Sequence, residues 1–199
     1  MKTAYCFDLD STLTTLEILP CIASELNISE EMALLTKLTM DGVIDFISSF
    51  KLRVLLLSTV SIERINSIID EVPLDLKLLK FIKENREQCF IVTGNIDLWI
   101  KPLLDKFECN YYSSSAQYSD GYIKLDKVLV KSEAIKNIRA MGFDRVIAVG
   151  DGMNDVPMFL ESDIKIAFGA IHHPPKSLVN LANYIVHSGD SLCNLLKML

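Results

Sequence analysis

The sequence lacks the features that would set it apart from ordinary globular chains. No apolar run approaches the ~18 residues a membrane-spanning helix requires, and the most apolar window, Val54 to Val60, falls far short. Basic residues are not in excess: 20 Lys and Arg stand against 26 Asp and Glu, for a net charge of −6. That excludes the basic face with which a general nucleic-acid binder neutralises phosphates. It leaves room for a small phosphorylated ligand, which a few local cations can hold. Paired cysteines are missing too. Cys6, Cys21, Cys89, Cys109 and Cys193 are scattered, odd in number and form no Cys-x-x-Cys unit, so reduced thiols are expected rather than disulfides or zinc. There is no internal repeat, low-complexity tract or flexible linker. The N-terminus meets two acids by Asp10, which a signal peptide would not tolerate. A soluble, cytoplasmic protein is expected.

What is present is an alternation of short buried strands with helices. The chain has 199 residues, half of them apolar, enough for one α/β domain with a large insertion or for two small domains. Ala4 to Leu9 reads as a buried strand. Helical periods follow: Leu16 to Ala23, interrupted by Pro20, which should kink or restart the helix; Ser29, a plausible N-cap, to about Met40 before an Asp41-Gly42 turn; Val43 to Leu57; and Ser61 to Asp70. Strands then recur at Cys89–Thr93, Cys109–Ser113, Val146–Val149, Ile164–Phe168 and Tyr184–Val186. Helices lie between them, at 75–84, 96–107, 130–141 and 156–161 among others, and one closes the chain. Asp120-Gly121 carries a hairpin signal between alternating residues. This rhythm predicts an α/β fold with a Rossmann-like parallel sheet covered on both faces. Four helices interrupt it as an inserted cap, residues 14–73, leaving a core of residues 1–13 and 74–199.

Ligands of open α/β sheets bind outside the carboxyl ends of the strands. Three polar segments follow strands here: Asp8 and Asp10 in "DLDST", Thr93-Gly94-Asn95, and "GDGMND" with Asp151 and Asp155. Each alone has an ordinary explanation, as an Asx turn, a strand-ending turn or a glycine-rich turn. Together, at one sheet edge, they point to a site. If Asp8, Asp10, Glu17, Asp151 and Asp155 share a pocket with Arg53 and Lys131, five acids face two bases. Like charges raise one another's pKa, and a phosphate dianion cannot enter such a field unaided. A hard divalent cation resolves the imbalance, and all-oxygen ligands suit Mg²⁺.

"DLDST", then Thr93-Gly94, then Lys131 opening a helix, then "GDGMND", resemble the four signature segments of the haloacid dehalogenase superfamily, over nearly the whole chain. The helical insertion just after the first segment is similar to the cap of the phosphoserine phosphatase branch. Glu17 and the stretch "MDGVIDFISSFKLRV", with Met40, Phe46 and Arg53, also match that branch.

The resemblance implies a Mg²⁺-dependent phosphomonoesterase. Asp8 would be the nucleophile that forms an aspartyl-phosphate. Asp10 would protonate the leaving alcohol and then activate water. The metal would take an Asp8 side-chain oxygen, the Asp10 backbone carbonyl and Asp151. Asn154, counted among the substrate-binding residues, and Asp155 behind them would orient the ligand shell. Thr93, Gly94 and Lys131 would hold the phosphoryl oxygens. Arg53 and Glu17 would take the carboxylate and ammonium of a zwitterionic substrate such as O-phosphoserine, unless they simply form a salt bridge within the cap. Transfer to another alcohol such as homoserine, hydrolysis of a sugar phosphate, and a non-catalytic phosphate-binding module are the alternatives. No nucleic-acid or membrane partner is expected, and either a monomer or a homodimer fits. Asn95 departs from the branch's usual Ser-Gly-Gly and leaves specificity open. His172 and His173 are expected in an exposed loop outside the site, and Trp99 is expected to be packing.

Overall fold

Residues 2–40, 43–119 and 122–199 are described by the computed structural model. The expected turns at Asp41-Gly42 and Asp120-Gly121, and the side chain of Met40, lie outside the described residues. Seven strands form one sheet: β1 (Thr3–Phe7), β2 (Cys89–Ile96), β3 (Asn110–Ser119), β4 (Tyr122–Lys127), β5 (Arg145–Gly150), β6 (Ile164–Phe168) and β7 (Tyr184–Val186). Their order is β4-β3-β2-β1-β5-β6-β7, parallel except for the β3–β4 pair. β1 lies between β2 and β5, in register Cys6↔Phe90 and Cys6↔Ala148. The carboxyl ends of these three neighbours therefore share an edge, with the crossovers diverging there to opposite sides.

Both sheet faces are buried because successive strand side chains point oppositely. Phe7, Ile91, Val149 and Phe168 pack on one side with Leu78, Trp99 and Leu192 from helices α5 (Leu76–Glu84), α6 (Asp97–Phe107) and α10 (Gly189–Met198). Cys6, Phe90, Ala148 and Ala167 pack on the other, with Ile135 and Phe159 from α7 (Lys131–Ala140) and α8 (Val156–Leu160) and Leu178 from α9 (Lys176–Leu181). Trp99 is fully buried packing, as expected, although its indole N–H has no partner among the described residues. All five cysteines are free thiols. No helix among the described residues is long and apolar enough to cross a membrane.

Four helices intervene between β1 and α5: α1 (Ile18–Ala23), α2 (Ser29–Met40), α3 (Phe46–Leu57) and α4 (Ile62–Asp70). Pro20 does not break α1, contrary to expectation, because it falls in the first turn, where its missing N–H would have had no intrahelical partner. α3 begins at Phe46 rather than Val43, since Asp45 caps it by accepting from Ser48 N. Ser61 caps α4 in the same way. Both chain crossings into this insertion run side by side: Thr14 bridges Leu74, Thr15 N donates to Pro73 O at 2.9 Å, and Asp75 N donates to Leu13 O at 2.9 Å. Ile65 and Ile69 of α4 join the same apolar cluster as Leu103 and Phe107 of α6, so the insertion is packed onto the sheet layer as well as tethered to it.

Two further expectations fail at strand ends. β1 stops at Phe7, two residues short of Leu9, and the chain turns through Ser11 with φ 57°, so Asp8 and Asp10 follow the strand as expected. β3 is ten residues long instead of a short strand, because its second half continues past β2 to pair with β4.

Candidate active site

Asp8 leaves the end of β1 with its backbone N–H bonded to Val149 O at 2.9 Å, which ties it to the end of β5. Its side chain is buried, and its Oδ1 accepts from Lys131 Nζ at 2.5 Å. The same ammonium donates to Asp155 Oδ1 at 2.6 Å. Lys131 is the first residue of α7, so the sheet edge, the turn after β5 and a helix start meet at one nitrogen. Asp155 Oδ2 accepts from the N–H groups of Asp151 and Gly152, both at 3.0 Å, and this closes the glycine-rich turn. Gly150 has to be glycine for this reason: a Cβ there would sit 2.4 Å from the Asp155 carboxyl carbon.

Asp8, Asp151 and Asp155 bring carboxylate oxygens within 4.8 Å of one another. The three are not equivalent. Both oxygens of Asp155 are taken by protein donors. Among the described residues, Asp8 and Asp151 each have one oxygen engaged, the latter by Thr12 Oγ1 at 3.2 Å, and one left over. The free positions are oxygens only, a donor set that fits a hard divalent cation. Electrostatics agree. Burial, only partly offset by Lys131, pushes Asp8 up to about 7, and burial together with the charges of Asp8 and Asp155 pushes Asp151 up to about 8. Burial alone would lower Lys131, but the carboxylates of Asp155 and Asp8 outweigh it and hold the ammonium above its ordinary value. The acids outnumber the bases in this cluster, an imbalance that a bound cation would offset.

Asp10 faces another direction. Its Oδ1 accepts from Ile18 N at 2.9 Å, the opening amide of α1, and burial pushes it up to about 7 in spite of that bond. Together with Glu17, Thr36 and Arg53 it lines a cavity of about 300 Å³ between sheet edge and insertion. Arg53 Nη2 donates to Thr36 Oγ1 at 3.1 Å, and its buried Nε has no partner among the described residues. No ion pair within 4 Å joins Arg53 to Glu17 there. Glu17 Oε1 instead lies 3.2 Å from His172 Nε2. The His172–His173 loop is exposed, as expected, but His172 is not remote: the segment after β6 folds back to the insertion and reaches a cavity-lining acid.

Thr93, Gly94 and Asn95 are not a turn after β2. They are its last residues before Ile96, where the pairing with β3 shifts register. Gly94 O accepts from Ser114 Oγ at 2.7 Å. A Cβ on Gly94 would meet only the ring of Phe46, at 3.6 Å, an ordinary contact, so α3 sits directly over this strand end. Asn154 lies in the 3₁₀ turn Met153–Asp155, with its Oδ1 against Gly152. Two residues carry no signal of their role in the sequence. Thr12 stands in plain view within "DLDST", and Asn95 stands out only as a departure from the branch's usual motif. Both act through hydrogen bonds to other side chains, which spacing does not reveal.

The haloacid dehalogenase-like hydrolase family matches residues 6–160. The phosphoserine phosphatase of Methanocaldococcus jannaschii is 31% identical over 182 residues, covering 85% of this chain and 86% of that protein. That of Campylobacter jejuni subsp. doylei is 29% identical, covering 82% and 86%. Among solved structures, a phospho-aspartyl intermediate analogue of phosphoserine phosphatase superposes with a TM-score of 0.82 at 28% identity, over 100% of this chain and 98% of that one. A substrate-bound phosphoserine phosphatase complex does so with the same score and identity. The chain belongs to the haloacid dehalogenase-like hydrolases, in their phosphoserine phosphatase-like branch.

Proposed function

We propose that the protein is a Mg²⁺-dependent phosphatase that moves the phosphoryl group of a small monoester onto Asp8 and then to water. Its substrate is O-phosphoserine or a related phospho-amino acid. The observation that carries this reading is the buried Asp8–Lys131–Asp155 triad beside Asp151, with Asp10, two residues on from Asp8, lining a cavity together with Glu17 and Arg53. The division of labour follows the chain: residues 1–13 and 74–199 form the core that carries the chemistry, and residues 14–73 form the cap that selects the substrate.

Asp8, Asp151 and the Asp10 backbone carbonyl would hold the cation, with Asp155 and Asn154 orienting that shell. Bound there, Mg²⁺ supplies positive charge against the phosphoryl oxygens and the crowded carboxylates. Lys131 fixes the Asp8 rotamer and adds a permanent charge at the reacting centre. An Asp8 carboxylate oxygen attacks phosphorus, the bond from phosphorus to the ester oxygen breaks, and Asp10 gives its proton to the departing alkoxide. A carboxyl held at about 7 carries a proton in a large fraction of molecules at neutral pH. Now ionised, Asp10 takes a proton from water as the water oxygen attacks phosphorus. The acyl-phosphate bond breaks, and both carboxyls return to their starting states. Thr93 O–H and Gly94 N–H donate to the phosphoryl oxygens.

In the cap, the Nε of Arg53, without a partner among the described residues, supports recognition of a substrate carboxylate. Glu17 supports recognition of an ammonium, which would exchange with His172 for its carboxylate. The test is a panel of phosphoserine, phosphothreonine, sugar phosphates and nucleotides with Mg²⁺, including analysis for a phosphorylated alcohol among the products. Phosphoserine is expected to have the highest kcat/KM, with inorganic phosphate as product. A sugar phosphate or nucleotide as the best substrate contradicts the specificity. Turnover of none, with metal bound, contradicts the activity.

A further inference from the structure

The Thr93 hydroxyl has one hydrogen to give and two lone pairs to receive with. Both receiving positions are filled by a single residue: Asn95 N donates to Thr93 Oγ1 at 3.2 Å and Asn95 Nδ2 donates to it at 3.3 Å. Both residues are buried, and among the described residues the hydroxyl hydrogen has no acceptor. It is therefore left to point away from Asn95. The backbone half of this arrangement is available to any residue two positions on. The carboxamide half is not. With glycine at that position one lone pair of the hydroxyl would be open, and the hydroxyl could turn to receive as readily as to donate.

The carboxamide has a second task. It also lies beside the Asp10 carboxyl, where it favours the ionised form against burial, while Ile18 N donates to Asp10 Oδ1 from the insertion side. Asp10 thus sits between the end of β2 and the start of α1.

We infer that Asn95 is a positioning residue, fixing the Thr93 hydroxyl as a donor to the phosphoryl oxygens while holding the Asp10 carboxyl at the leaving oxygen. This rests on the phosphatase reading above.

The two tasks separate by leaving group. An aryl phosphate with an acidic phenol needs no proton from Asp10 to depart, so its kcat/KM reports the Thr93 effect. An alkyl phosphate such as phosphoserine reports both. Asn95→Ala should lower kcat/KM for the aryl ester about tenfold, the scale of one hydrogen bond to a charged group, and for phosphoserine by about a further tenfold. In a Thr93→Val background the aryl-ester loss should vanish, because no hydroxyl remains to be oriented. Asn95→Asp keeps the shape but replaces the donor with an acceptor, and should be slower than the alanine variant on both esters. It makes the same two comparisons if the alanine variant does not fold. Equal losses on the two esters, or an aryl-ester loss of the same size with and without the Thr93 hydroxyl, would overturn the inference while leaving the phosphatase reading intact. A wild-type protein that hydrolyses neither ester removes both.

Discussion

Asp8, Asp10 and Asp151 carry an electrostatic burden that makes the cation measurable without any substrate. In the metal-free protein Asp8 and Asp10 stand at about 7 and Asp151 at about 8, against roughly 3.9 in an unfolded chain. Below about pH 4 both states hold these protons and no difference arises. As pH rises the unfolded chain sheds them first, so stability falls, and this contribution is fully lost once pH passes the folded values near 7 to 8. The melting temperature of chelator-treated protein should therefore decline from pH 5 to 8. Millimolar Mg²⁺ should flatten the decline, and Asp151→Asn should make it shallower without metal. Thermal unfolding across that range checks this. A metal-free curve as flat as the Mg²⁺ curve would mean that the acids are not poised as described.

Among the elements, helices of the insertion reach the edge where those acids lie. α3 brings Arg53 to the cavity and lays Phe46 over the end of β2, and α1 presents its first amide to Asp10. Arg53→Ala should lower kcat/KM for phosphoserine about a hundredfold, as expected for losing a charge-assisted pair, and change it less than about threefold for an aryl phosphate without a carboxylate. Parallel kinetics on the two esters checks this, and equal losses would remove the case for a zwitterionic substrate. Most of these elements are legible in the sequence, because Ser61 and the buried runs at β1, β5 and β6 are local signals. The errors fall where tertiary context overrides them. Pro20 looks like a breaker until its place in the first turn of α1 is known. Thr93-Gly94-Asn95 looks like a turn until the pairing of β2 with β3 resumes beyond it at Ile96. His172 looks detached until the loop after β6 meets Glu17. The acids and Lys131 were legible because motif order survives folding, whereas the bonds of Thr12 and Asn95 depend on side-chain geometry that no spacing encodes.

For the whole molecule, the sheet order places β1 between β2 and β5, so that Asp8, Thr93 and Asp151 approach from three adjacent strand ends, while the insertion leaves and rejoins the core through a paired neck and reaches this edge at Ile18 and Phe46. The claim that unites fold and chemistry is that this edge delivers a phosphoryl group to Asp8. Rapid quenching in acid during turnover of ³²P-labelled phosphoserine tests it most directly. Protein-bound label is expected on the peptide containing Asp8, released by hydroxylamine as an acyl phosphate should be, and absent from a folded Asp8→Asn protein that no longer turns over. Inorganic phosphate forming in the first turnover with no labelled protein, or label persisting in Asp8→Asn, would contradict it.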